Sequence, residues 1–127
     1  MIATQLSIFV ENKTGRLSEL LKALKDSRIN IRALSIAENS EFGILRILVS
    51  ETARAYDILK REGFIVKKTE VISLPMEDKP GALAELVDKL SAEEIGIEYL
   101  YAFVSPEDGA SVVLRLDDQE KARKLFG

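Results

Sequence analysis

Cysteine and histidine are both absent from the 127 residues. Without cysteine there is no disulfide framework, no thiolate nucleophile and no thiolate metal site. Without histidine the chain lacks the side chain that most often serves as a general base near neutral pH and most often ligates a metal, and most triad chemistry goes with it. Tryptophan is missing too, and aromatic residues make up only 6% of the chain. No apolar run approaches the roughly 20 residues needed to cross a bilayer, and the start lacks the pattern of a secretory signal. A cytoplasmic protein without membrane contact is the expectation. Cations are outnumbered, 18 Lys and Arg against 21 Asp and Glu. The net charge of −3 argues against non-specific binding to nucleic acid. Residues 1–66 carry 10 basic and 8 acidic side chains, and residues 67–127 carry 8 and 13. Such a difference is screened beyond about 10 Å at ordinary salt and reads as surface variation.

What is present is 46% hydrophobic and 31% charged residues, enough to bury a core, and an internal repeat. ENKTGRLSELLKAL (11–24) returns as EDKPGALAELVDKL (77–90). At an offset of 66, residues 5–48 align with 71–114 without a gap, and 14 of the 44 pairs are identical, among them Gly15/Gly81, Leu20/Leu86, Leu24/Leu90, Ile29/Ile95 and Gly43/Gly109. With one residue inserted beyond that stretch, Ala55, Ile58 and Leu59 fall against Ala122, Leu125 and Phe126. Two copies are too few for a solenoid; the reading is a duplicated unit, 1–69 and 70–127.

Each copy has the same order of elements. QLSIFV (5–10) alternates, with Leu6, Ile8 and Val10 on one face, and Ile72, Leu74 and Met76 repeat it. Leu17, Leu20, Leu21 and Leu24 have helical spacing, as do Leu83, Leu86, Val87 and Leu90. Residues 29–37 and 95–104 read as second strands, 42–49 and 110–116 as third strands, and TARAYDILKRE (52–62) and DQEKARKLF (118–126) as second helices. GFIVKKTEV (63–71) is a fourth strand. The order β-α-β-β-α-β is the ferredoxin-like arrangement: an α+β fold of two tandem units, each an antiparallel sheet with helices on one face. The third strand is apolar on both faces, with Ile44 and Leu48 on one and Leu45, Ile47 and Val49 on the other, so the second face is expected to meet another sheet or subunit. The second copy ends at Lys124–Gly127, before a last strand. The expectation is a shortened chain rather than an edge that is bare or filled by a partner.

In both copies the first strand leads through an Asx residue (Asn12, Asp78) to a glycine (Gly15, Gly81) at the helix start. Asn and Asp suit caps and turns, and Pro80 suits a first helical turn. Glycine leaves the N–H groups and the helix dipole open to whatever sits there, which favours a carboxylate. It also serves backbone geometry alone, and duplication would copy a turn as faithfully as a site. The acidic pairs Glu93-Glu94, Glu107-Asp108 and Asp117-Asp118 fall at turns and helix starts, where the dipole favours acids, and read as solvated. Tyr99, Tyr101 and Phe103 share one parity of a strand. They read as packing, with an aromatic pocket as the alternative.

A strand, then D/N-x-P-G-x-L at a helix start, then a second strand entered as Arg28-Ile29-Asn30-Ile31 or Glu94-Ile95-Gly96-Ile97, resembles the ACT domain, a small-molecule-binding regulatory module. Asp78-Lys79-Pro80-Gly81-Ala82-Leu83 matches closely. In Asn12-Lys13-Thr14-Gly15-Arg16-Leu17, Thr14 stands for the proline. The chain is similar to small stand-alone proteins made of two ACT domains. The resemblance implies pairing, commonly side by side, with an amino acid at the interface between the loop after strand one and the neighbour's sheet. It carries Asn12, Lys13, Thr14, Gly15, Arg16 and Leu17 over as ligand-binding in the first copy, and Asp78, Lys79, Pro80, Gly81, Ala82 and Leu83 in the second. Ile31 and Ile97 would meet the ligand side chain. Helix N–H groups would hold the ligand carboxylate, and Asn12 or Asp78 would accept from its ammonium. Arg16 could add a ligand contact, but its guanidinium is expected to be solvated.

The functional expectation is a non-enzymatic regulatory sensor of an amino acid within a homodimer, with no cofactor and no metal. An alternative is a ligand-free module whose apolar sheet face docks on a regulated partner enzyme. An enzyme on the same fold is disfavoured, since no nucleophile has an evident base.

Overall fold

The computed structural model describes residues 2–38, 41–107 and 109–127. The elements are β1 (Ile2–Glu11), α1 (Arg16–Asp26), β2 (Ile31–Glu38), β3 (Phe42–Val49), α2 (Thr52–Arg61), β4 (Ile65–Met76), α3 (Ala82–Ala92), β5 (Ile97–Ser105), β6 (Gly109–Leu116) and α4 (Gln119–Phe126). They form two compact units. The first is residues 4–69, and the second is residues 70–127 together with residues 1–3.

In the first unit the strand order is β2-β3-β1-β4. Antiparallel register sets Leu6 opposite Ile47 and Ile8 opposite Leu45, so period-2 alternation turns these four side chains to one face. Leu20 and Leu24 of α1, Ala55 and Leu59 of α2, and Phe64 close over that face as one buried cluster. Removing each such leucine or isoleucine from water contributes about 1.5–3 kcal/mol. On β3, Leu45, Ile47 and Val49 are buried, while Ile44, Arg46 and Leu48 on the other face are half-buried. Gln5 is fully buried and donates from Nε2 to Ser7 Oγ at 3.0 Å; Ser7 Oγ also lies 2.9 Å from Thr69 Oγ1.

The second unit has the order β5-β6-β4, with a cluster of Ile72, Leu90, Ile95, Val112, Leu114, Leu116 and Ala122. Three helices end in the same way. Ile29 N–H reaches Leu24 O and Arg28 N–H reaches Lys25 O; Phe64 and Gly63, and Ile95 and Glu94, repeat the pattern. The residue after each C-cap is left-handed, at φ 58° for Arg28, 90° for Gly63 and 57° for Glu94. Only Gly63 adopts that conformation without a Cβ penalty.

Several expectations change in detail. The fourth strand of the first copy and the first strand of the second are one strand, β4, because no turn-forming residue separates Thr69 from Val71. The register of β6 differs from the ungapped alignment. Ile47 pairs with Leu6, and Leu114, not Val113, pairs with Ile72. The extra residue therefore precedes β6, and Gly43 corresponds to Ala110 rather than to Gly109. The edge of the second unit is not wholly bare either, since β1 neighbours β4 and Ile2 and Ala3 belong to this unit.

Candidate functional site

The glycine loops are two copies of one turn. Arg16 N–H donates to Lys13 O at 3.2 Å, and Ala82 N–H to Lys79 O at 3.3 Å. Gly15 sits at φ 90°, ψ −16° and Gly81 at φ 89°, ψ −13°. These values belong to the third position of a type II turn, where glycine is favoured and proline suits the position before it. Backbone geometry therefore requires both glycines. Pro80 is the second residue of that turn and lies before the helix, not in its first turn. Neither Asn12 nor Asp78 caps a helix: α1 and α3 start from left-handed glycines with no side-chain cap. A Cβ added at Gly15 or Gly81 would meet nothing within 4 Å, so the space over both turns is open.

In the first unit the turn borders a cavity of about 520 Å³. Glu11, Asn12, Lys13 and Arg16 face it from the loop, Glu41 and Phe42 from the start of β3, and Phe9 and the segment 63–65 complete the lining. Phe9 and Phe42 meet edge to face with centroids 6.4 Å apart and remain 51% and 42% exposed, so an apolar surface is left open beside the charged loop. Arg16 is not solvated as expected. Its guanidinium lies 4.0 Å from the centroid of the Phe64 ring and 2.8 Å from Glu19, with the side chain 24% exposed. Stacking on Phe64 and the charge pair fix the guanidinium plane at the cavity wall. Lys13 pairs loosely with Glu11 at 3.5 Å. The cavity thus combines cations, carboxylates and aromatic surface, the three chemistries of a zwitterion with an apolar side chain.

Of the sequence-derived residues, Asn12, Lys13 and Arg16 line this cavity, whereas Thr14, Gly15, Leu17 and Ile31 do not. Leu17 and Ile31 pack against the core of the first unit. In the second unit Lys79 and Ala82 border a different groove, which Asp78, Pro80, Gly81, Leu83 and Ile97 do not line. Ile97 packs against its core, and Leu83 stays 37% exposed. Phe9, Phe42 and Phe64 were missed. Phe9 had a signal, an apolar side chain on the outward parity of β1 between Ile8 and Val10. Tyr99, Tyr101 and Phe103 lie opposite Arg115, Val113 and Ser111, half-buried, and line neither cavity. Asp117 and Asp118 are exposed as expected, but each also accepts a backbone bond: Asp117 from Gly96 N–H at 2.9 Å, and Asp118, which caps α4, from Lys121 N–H at 3.0 Å. Asp108 lies outside the described residues. Among the described residues, no three acidic groups come together as a metal site, and no helix is long and apolar enough to cross a membrane.

The model of a family described as the ACT domain pair matches residues 1–126. The chain belongs to this family. A Bacteroides thetaiotaomicron protein of known structure is 45% identical, with 99% of this chain and 87% of that one covered at a TM-score of 0.92. The regulatory subunit of aspartate kinase from Thermus thermophilus, in a ligand-free form, shares the fold at 14% identity, with 99% and 95% coverage and a TM-score of 0.67. The corresponding subunit from Thermus flavus does so at 14% identity, 99% and 97% coverage and a TM-score of 0.60. No curated protein matches the chain. The two ACT copies differ at their turns: Arg16 and Phe9 of the first correspond to Ala82 and Pro75 of the second. The charged and aromatic cavity is accordingly a property of the first copy.

Proposed function

We propose that this ACT pair is a non-enzymatic sensor that binds an amino acid with an apolar side chain, and that binding alters its association with a second copy or with the enzyme it regulates. The observation that carries the reading is the first-copy cavity, which Arg16, Lys13, Glu11, Glu41, Phe9 and Phe42 line together. Arg16 and the open start of α1 suit a carboxylate, Glu11 and Glu41 suit an ammonium, and the Phe9–Phe42 pair suits an apolar side chain. In a homodimer a partner sheet would complete the cavity from its open side.

The test is a thermal-shift panel of the twenty amino acids on the wild type and on Arg16→Ala. A ligand at a hundred times its dissociation constant stabilises by about 2.7 kcal/mol, a rise of several degrees for a chain this size. One or a few apolar amino acids should raise the melting temperature of the wild type and not of Arg16→Ala. An equal rise in both proteins would sink the site assignment. The second reading, docking on a partner enzyme, is supported by Leu34 and Ile36, which are 46% and 47% exposed on β2. A flat panel with capture of one enzyme through that strand would favour it.

A further inference from the structure

Of the three tyrosines and five phenylalanines, only Phe9 and Phe42 are exposed, and both stand in the wall of the first-unit cavity. The ladder puts them there. Phe9 pairs with Ile44 and Phe42 with Glu11, so the two rings share the sheet face turned away from α1 and α2 and are diagonal neighbours across β1 and β3. They meet at 87° with centroids 6.4 Å apart, and each keeps about half of its surface open.

The second unit shows that the fold does not require these rings. Val10 pairs with Gly43 and Met76 with Ala110, so Pro75 and Gly109 hold the places of Phe9 and Phe42. Arg16, on the wall of the same cavity, is replaced by Ala82. Three replacements that set the first copy apart thus converge on one cavity. Open aromatic surface beside a charged loop, in a unit that folds elsewhere without it, marks a binding surface.

Buried area alone does not say which apolar side chain the cavity takes. The geometry of the pair does. Perpendicular rings leave a ring face, negative at its centre, and ring edges, which are positive. A third ring can set its edge on the one or its face against the other. A saturated side chain matches neither and gains only from burial.

We propose that the cavity selects an amino acid whose side chain ends in an aromatic ring, and that the Phe9–Phe42 pair is the selecting element. This rests on the amino-acid reading of the cavity given above and narrows it.

The test titrates the full chain with L-phenylalanine, L-cyclohexylalanine and L-leucine by isothermal calorimetry. Cyclohexylalanine has the carbon skeleton of phenylalanine with a saturated ring. That ring is the larger and more apolar of the two, so burial alone favours it, whereas contact with ring faces and edges favours phenylalanine. Phenylalanine is expected to bind about two- to tenfold more tightly, the factor that an aromatic pair contributes beyond its buried area. Phe9→Leu and Phe42→Leu should each bring that ratio to one or below and change leucine binding less. Both side chains are half-open, so both variants should keep the wild-type circular dichroism; if one does not, the other carries the test. Equal affinity, or a preference for cyclohexylalanine, in the wild type overturns the proposal and leaves the amino-acid reading standing. A ratio unchanged in both variants does the same. A wild type that takes up none of the three but responds to another amino acid overturns the proposal alone, and one that takes up no amino acid overturns both readings.

Discussion

Gly96 and Asp117 offer a pair whose coupling follows from distances. Asp117 N–H donates to Gly96 O at 3.0 Å, and Gly96 N–H returns a bond to Asp117 Oδ1 at 2.9 Å. A Cβ placed on Gly96 would stand 2.4 Å from Asp117 Oδ2 and 3.1 Å from its Cγ, and those are the nearest atoms it meets. The φ of Gly96 is not left-handed, so the side chain of Asp117 alone excludes a larger residue. The first unit solves the same junction differently: Ser50 N–H donates to Asn30 O at 3.0 Å and Asn30 N–H donates to Ser50 Oγ at 3.1 Å. A residue with a Cβ there faces a shorter acceptor.

Gly96→Ala should therefore swing the Asp117 carboxylate away and break its bond, a loss of about 1.5 kcal/mol for a partly screened charged acceptor. Restriction of the unfolded chain returns about 0.5 kcal/mol, for a net destabilisation of about 1 kcal/mol. In an Asp117→Ser background the clash is gone and only the second contribution remains, so the same substitution should stabilise by about 0.5 kcal/mol. The assay is urea unfolding of the four proteins followed by far-ultraviolet circular dichroism. With a slope near 2 kcal/mol per molar, Gly96→Ala should lower the midpoint by about 0.5 M in the wild type and raise it by about 0.25 M in the Asp117→Ser background. A coupling near 1.5 kcal/mol exceeds the ~0.5 kcal/mol within which independent sites add. Additive midpoints would refute the steric account.

Thr14→Pro places proline where the second copy has Pro80, at the second position of a type II turn; it should stabilise by about 0.4–1 kcal/mol through the unfolded state, read as a higher urea midpoint, and a fall would show that the two turns differ. Arg28→Gly and Glu94→Gly relieve left-handed residues at φ 58° and 57°; the gain of about 1–2 kcal/mol exceeds the roughly 0.4–1 kcal/mol of added chain entropy, so each variant should melt one to a few degrees higher by calorimetry. Gly81→Ala keeps an open site, with nothing within 4 Å of the new Cβ, yet forces a φ of 89° on an L-residue. It should destabilise by about 1 kcal/mol, and Gly81→Val by more, so neither isolates ligand binding from folding. Equal melting of Gly81→Ala and wild type would count against the type II assignment.

Much of this protein is local and was legible in its residues. The duplication, the strand parity of Leu6, Ile8 and Val10, the leucine spacing of α1 and the paired turns all depend on residues within a few positions of one another. Periods of 2 and 3.6 and turn chemistry act over that range. The turns were legible as loops, but that the backbone itself requires their glycines showed only in φ near 90°, a value that the chain on both sides imposes.

What lies far apart in the chain was decided only by tertiary pairing. Phe9 of β1, Phe42 of β3 and Phe64, just ahead of β4, line one cavity because β1 lies between β3 and β4. Arg16 looked like a solvated cation until the end of α2 brought Phe64 beneath it. The register of β6 followed the burial of Leu114 and Leu116 rather than the glycine identity of the alignment, since a one-residue slip would turn every apolar side chain of the strand to the wrong face. The groove of the second unit had no signature of its own in the sequence. It is lined from β4, α3 and α4 together, which only the folding of the unit brings side by side.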